Sequence, residues 1–132
     1  MRIKDARMLA SLAKVQKRNK AGLITSITIP GSNAKTYSEI IRRYNGSLSV
    51  ECLLNTGYGH LACKGNSVSL CYHAIGGAIA TIENSGYTVV AIADQRANAL
   101  RRKNLGGKIV KVHSHQSGKP VWMLYEKNGK GK

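Results

Sequence analysis

The order Cys52-x10-Cys63-x7-Cys71-x-His73 constrains this chain more than any other feature. It takes in all three cysteines and one of the four histidines, with His60 close by. Cys71 and His73 matter most, because two ligands two residues apart at a strand-to-helix junction can both point into one tetrahedral site. Any one of these residues alone reads as a small buried thiol or a satisfied core histidine. All of them in this order read as a metal site. An odd number of cysteines also suits metal binding or burial in a reducing compartment better than a disulfide framework.

The pattern around that set is alternately strand-like and helix-like. Residues 3–18 place Met8, Leu12 and Val15 on one helical face and Lys4, Arg7, Lys14 and Arg18 on another, so residues 1–21 are expected to form a basic amphipathic helix stopped at "NKAG". "LITSITIP" and "TYSEIIRRY" alternate as strands, the second with Tyr37, Glu39 and Ile41 on one side. Asn45-Gly46 is a strong hairpin signal joining that run to "SLSVECLL", which makes a three-stranded antiparallel meander. Cys71, Ile75, Ile79 and Ile82 recur at helical spacing before Asn84-Ser85-Gly86. "YTVVAIA" then reads as a buried strand, "QRANALRRKN" as a short helix behind the cap Asp94, and "KIVKVHSH" with "PVWMLYEK" as a second hairpin.

The cysteine-containing stretch resembles the SWIM-type zinc finger, whose pattern is Cys-x-Cys, a spacer and Cys-x-His on a ββα unit. The resemblance covers about residues 25–83 and is best in "CKGNSVSLCYHAIGGAIA". It implies that Cys63, Cys71 and His73 are the last three zinc ligands. Position 61 is Leu where the family has its first cysteine, so that ligand is displaced. Cys52 is the preferred substitute, as a thiolate at the strand end where the family's first ligand lies; His60 is the alternative. With four protein ligands the zinc would be structural, one per chain.

The expected fold is therefore α+β. A small antiparallel hairpin or meander and a helix, stapled by zinc, would fill residues 23–85, followed by a basic βαββ portion over residues 86–127, its helix and hairpin forming a second αββ unit on the same helix. One domain accounts for residues 1–132, with 128–132 a disordered tail.

Charge decides the expected partner. The net charge is +15, and it sits at the ends: residues 1–43 carry ten Lys/Arg against two acids, and residues 96–132 ten against one. Polyanions gain by releasing their counterions to such a chain, so the expected partner is nucleic acid, DNA or RNA, bound without catalysis. The candidate phosphate contacts are Lys14, Lys17, Arg18, Lys20, Arg42, Arg43, Arg96, Arg101, Arg102, Lys103, Lys108 and Lys111, with Tyr125 and Trp122 as neighbouring aromatics. SWIM-type fingers look like modules for binding DNA or proteins, and a short version would suit a phage or other mobile element. The alternative is a protein-binding adaptor or inhibitor acting on a nucleic-acid enzyme or ribonucleoprotein. A small nuclease built on His113 and His115 is a third reading, without an acidic cluster to support it. No apolar run approaches a membrane span and the N-terminus lacks a signal-peptide core, so a cytoplasmic location, or a nuclear one in a eukaryotic host, is expected.

Overall fold

The computed structural model describes residues 3–31, 34–63, 70–95, 107–114 and 119–128. Its centre is the expected meander: β2 (Ile24–Pro30), β3 (Thr36–Tyr44) and β4 (Ser47–Thr56), antiparallel in sequence order. Asn45-Gly46 forms the two-residue turn, with Gly46 at φ +77° and Tyr44 paired with Ser47. Only a residue without a Cβ takes that backbone angle cheaply, which is what fixes the register of β3 on β4.

β4 has a second edge, and two different strands share it. β5 (Gly59–Ala62) folds back on its C-terminal half, pairing Leu53 with Ala62 and Thr56 with Gly59. β7 (Lys108–Ser114) runs parallel to its N-terminal half, pairing Leu48 with Val112. β8 (Val121–Lys127) follows as the hairpin partner of β7, and β6 (Tyr87–Ala93) lies outside β8. At the opposite edge β1 (Lys14–Arg18) pairs with β2. The result is one eight-stranded mixed sheet in the order β1-β2-β3-β4-β7-β8-β6, with β5 beside β4.

Helices α1 (Ile3–Ser11) and α2 (Tyr72–Asn84) lie on one side of it. Ala74, Ile75, Ala78, Ile79 and Ile82 of α2 bury against Ile41, Leu48, Val50, Val89, Val112 and Met123 of the strands. Two glycines let α2 come this close. A Cβ on Gly76 would stand 3.1 Å from both Ile29 Cδ1 and Leu9 Cβ, and one on Gly77 3.0 Å from Glu39 Cγ. α1 packs on α2 through Ala6, which is fully buried, and Arg7 bonds both Glu83 of α2 and the Val89 carbonyl of β6. Glu83 in turn accepts the Val89 N–H at 2.9 Å.

This architecture overturns the expected α+β fold. The protein is mostly β, and there is no small zinc-stapled meander-and-helix unit with a separate αββ portion after it. β7 adds directly to β4, so residues 86–127 complete the same sheet instead of standing apart. The reason is that β4 is ten residues long and β5 covers only its far half, which leaves backbone donors and acceptors at Ser47–Val50 that an apolar strand can satisfy. The N-terminal helix is also shorter than expected. It ends at Ser11, and Lys14–Arg18 becomes an edge strand because β2 otherwise has an open edge. Met8 and Leu12, the expected apolar stripe, are 62% and 54% exposed, and small Ala6 takes their place against α2. The expected helix around residues 95–104 and most of the tail lie outside the described residues. Among those described, no helix is long and apolar enough to cross a membrane.

Candidate metal centre

The ten residues between Cys52 and Cys63 are a hairpin extension. β4 continues past Cys52 to Thr56, turns at Gly57-Tyr58, and returns as β5. The Thr56 hydroxyl donates to the Gly59 carbonyl at 3.0 Å and accepts the Tyr58 N–H at 3.1 Å, which holds the turn. Because the two legs are equally long, the return brings Cys63 level with Cys52, and the Cys63 N–H donates to the Cys52 carbonyl at 3.0 Å. A pair far apart in sequence is thus adjacent across two strands.

The other two donors come from the start of α2. Cys71 is its N-cap, with extended backbone (φ −78°, ψ 166°), and its sulfur accepts the Ala74 N–H at 3.3 Å. His73 follows in the first turn. The four donor atoms of Cys52, Cys63, Cys71 and His73 all lie within 4.8 Å of one another, and Cys63 Sγ is 4.0 Å from His73 Nδ1. In a tetrahedron with bonds of about 2.3 Å to sulfur and 2.0 Å to nitrogen, that edge would be about 3.5 Å. The donors therefore fit a four-coordinate metal after that edge shortens by about half an ångström and the others, each at most 4.8 Å, by no more than about one. His60 is not among them: it pairs with Asn55 on the outer part of the hairpin and is exposed.

The imidazole is held from behind. Tyr37 stacks on His73 with ring centroids 3.7 Å apart and planes 17° from parallel. Gly31 backs this stack, since a Cβ there would come within 2.4 Å of Tyr37 Cε1 and 3.3 Å of His73 Nε2. Such support from outside the ligand set orients the ring toward the sulfurs.

The thiols share charge unevenly. Cys71 lies well below the ordinary thiol range because it accepts from Cys52, and His73 and the Ala74 N–H add to the effect. Cys52 is pushed up for the complementary reason, as donor to Cys71 in a buried place. A low-lying thiolate is what a metal ligand needs.

Glu39 is the residue the motif did not announce. It faces Cys52 across the β3–β4 ladder and packs under Gly77. It is completely buried, and neither carboxylate oxygen has a hydrogen bond of ordinary geometry among the described residues. Burial pushes its carboxyl up to about 8, with the nearby Cys52 thiol pulling the other way. A signal was present in the sequence: alternation puts Glu39 on the same side as Tyr37 and Ile41.

The structure separates the candidate cations. Lys14, Lys17 and Lys20 are exposed on β1 and the turn after it. Arg18 bonds the Gly22 carbonyl at 2.8 Å and Asn84 Oδ1 at 2.9 Å. Arg42 pairs with Glu51 at 3.1 Å on the side away from the helices. Arg43 points the other way, to the Ile24 carbonyl, beside Thr81 and Ile82 of α2, and burial lowers its pKa. It supports the fold and leaves the candidate phosphate set. Lys108 lies over the Tyr87 ring at 5.8 Å, and Lys111 is exposed. Arg96, Arg101, Arg102, Lys103 and His115 lie outside the described residues. His113 is partly buried on β7, and among the described residues it joins no cluster of metal-ligating side chains.

Comparison with protein-family models, with curated proteins and with solved structures found no match. The resemblance to the SWIM-type finger therefore rests on the ligand order and on the position of Cys71 and His73 at the start of a helix.

Proposed function

We propose that this chain is a zinc-bearing, strongly basic protein that binds nucleic acid and performs no catalysis. The observation that carries the nucleic-acid reading is a net charge of +15 with Lys14, Lys17, Lys20 and Lys111 all exposed. Charge of this sign and density binds phosphates by counterion release. The metal reading rests on the convergence of Cys52, Cys63, Cys71 and His73. Three thiolates and one imidazole suit zinc best among common metals. A zinc ion with four protein ligands contributes folding energy. Here Cys52 and Cys63 would hold the β4–β5 hairpin, and Cys71 and His73 the start of α2, against the same point. Tyr37 and Gly31 would keep the imidazole aimed at it.

Two measurements test this reading. Gently purified protein should contain about one zinc per chain, and a metal content below a tenth of that would end the zinc assignment. Affinity for random-sequence DNA and RNA should fall steeply and log-linearly with salt. Absence of binding at low salt would favour a protein partner. Cleavage of either polymer by metal-supplemented protein would replace the non-catalytic reading with a nuclease.

A further inference from the structure

The sheet has a face that no helix covers among the described residues. Glu39 and Ile41 point to α2, so Arg42 and Tyr44, which alternate with them on β3, point the other way. Their register continues across two more strands. Tyr44 pairs with Ser47 and Ser47 with Lys111; Arg42 pairs with Ser49 and Ser49 with His113. Six side chains therefore form two short rows on one face, with the two serines of β4 between larger groups of β3 and β7. Tyr44 is 58% exposed, although a tyrosine ring ordinarily buries part of its surface. Its ring and that of His113 are 22° from parallel with centroids 6.4 Å apart, reaching toward each other above β4. Ser49 between them is buried at 3%, while Arg42, Tyr44 and Lys111 are exposed.

We infer that this patch of β3, β4 and β7 is a binding surface for single-stranded nucleic acid, with bases stacking on Tyr44 beside His113 and phosphates meeting Arg42 and Lys111. The inference rests on the proposed nucleic-acid function and specifies both its surface and its substrate class. Charge complementarity extends the track: Lys14 pairs with Thr28, whose own partner on β3 is Ser38, so this exposed lysine lies on the same face. Glu51, an acid on the patch, is held by Arg42 at 3.1 Å in a partly exposed pair, which is weak enough to rearrange for a phosphate. A single strand is favoured over a duplex by the exposed Tyr44 ring. An exposed ring between cations offers an unpaired base a stacking partner, whereas the bases of a duplex are already stacked on one another.

The test uses the full-length, metal-replete protein and two probes at one salt concentration: a single-stranded oligonucleotide of about 15 nucleotides and the duplex of the same sequence. The single strand should bind at least about tenfold more tightly, and Tyr44→Ala should weaken it by about tenfold while leaving duplex affinity and its salt slope unchanged. Tyr44→Phe, which keeps the ring, should bind as the unsubstituted protein does. Trp122, the only tryptophan and the register partner of Lys111 on β8, reports binding by fluorescence and folding of each variant. Equal affinity for the two probes, or an unchanged single-strand affinity in Tyr44→Ala, overturns this surface and leaves a general polyanion-binding function standing. Failure of both probes to bind in a salt-dependent manner removes the surface and the nucleic-acid function together.

Discussion

Toward α2, β4 presents the apolar Leu48, Val50 and Cys52; away from it, the same strand presents the polar Ser47, Ser49 and Glu51. The first set belongs to the core and the candidate metal centre, the second to the basic patch. Two regions of different chemistry are thus built on one strand by a period of two. A slip of one residue in the β3–β4 register would turn Cys52 outward and bury Glu51. The Asn45-Gly46 turn, which sets that register, therefore matters to both sites while touching neither.

Breaking the helix side should have the largest effect. If the site holds a metal as proposed, Cys71→Ser should lose it, and chelation of the unsubstituted protein should abolish its near-UV circular dichroism, since structural zinc binding contributes on the order of 10 kcal/mol to folding. His60→Ala, on the outer hairpin, should keep a full equivalent of metal. Loss of metal in that variant would show that the ligand set differs from the one described.

Glu39 comes next. Its folded pKa of about 8 lies above the ordinary 4.5, so folding favours the protonated acid. Its contribution to stability is complete below about pH 4.5 and is lost as pH rises through about 8, at roughly 1.4 kcal/mol per unit. Glu39→Gln, which cannot ionise, should remove that slope and be the more stable protein at pH 8. Denaturant melts across this range decide the matter, and parallel curves for the two proteins would contradict it.

Gly77→Ala puts a methyl 3.0 Å from Glu39 Cγ, so α2 or the glutamate must shift. We expect a loss of about 1–3 kcal/mol in thermal or denaturant unfolding, and an unchanged stability would show that the helix has room to lift. On the open side of β4 the effects should be smallest. Glu51→Gln breaks a half-exposed ion pair with Arg42 and should alter stability by about 0.2–1 kcal/mol. A cost several times larger would mean that this face is tightly packed rather than open.

Much of the site was legible in the chain because the ligand types are rare and their order restrictive. Cys63, Cys71 and His73 were readable from the Cys-x-His pair and the helix after it, and the geometry joins Cys52 to them rather than His60. The ten-residue spacer is a two-stranded extension whose equal legs align the cysteines. Loop and hairpin are hard to separate in a stretch as glycine-rich and as weakly alternating as "LLNTGYGHLA". Glu39 was placed on the correct side by alternation, but its complete burial depends on α2 settling over it, which requires Gly77. Arg42 and Arg43 are both candidate phosphate contacts by charge, but in a strand neighbours face opposite ways, and the two bond Glu51 and the Ile24 carbonyl respectively.

Local pattern alone determined the meander, its turn, helix α2 and the set of thiols and imidazole, since each depends on residues close together and on periods of two or 3.6. Only the tertiary structure decided that β7 would join β4 in parallel, that Lys14–Arg18 would leave the helix for a sheet edge, and which cations share a face. Those outcomes depend on which backbone edges remain open once the first strands have paired, a long-range condition that no short window of sequence contains.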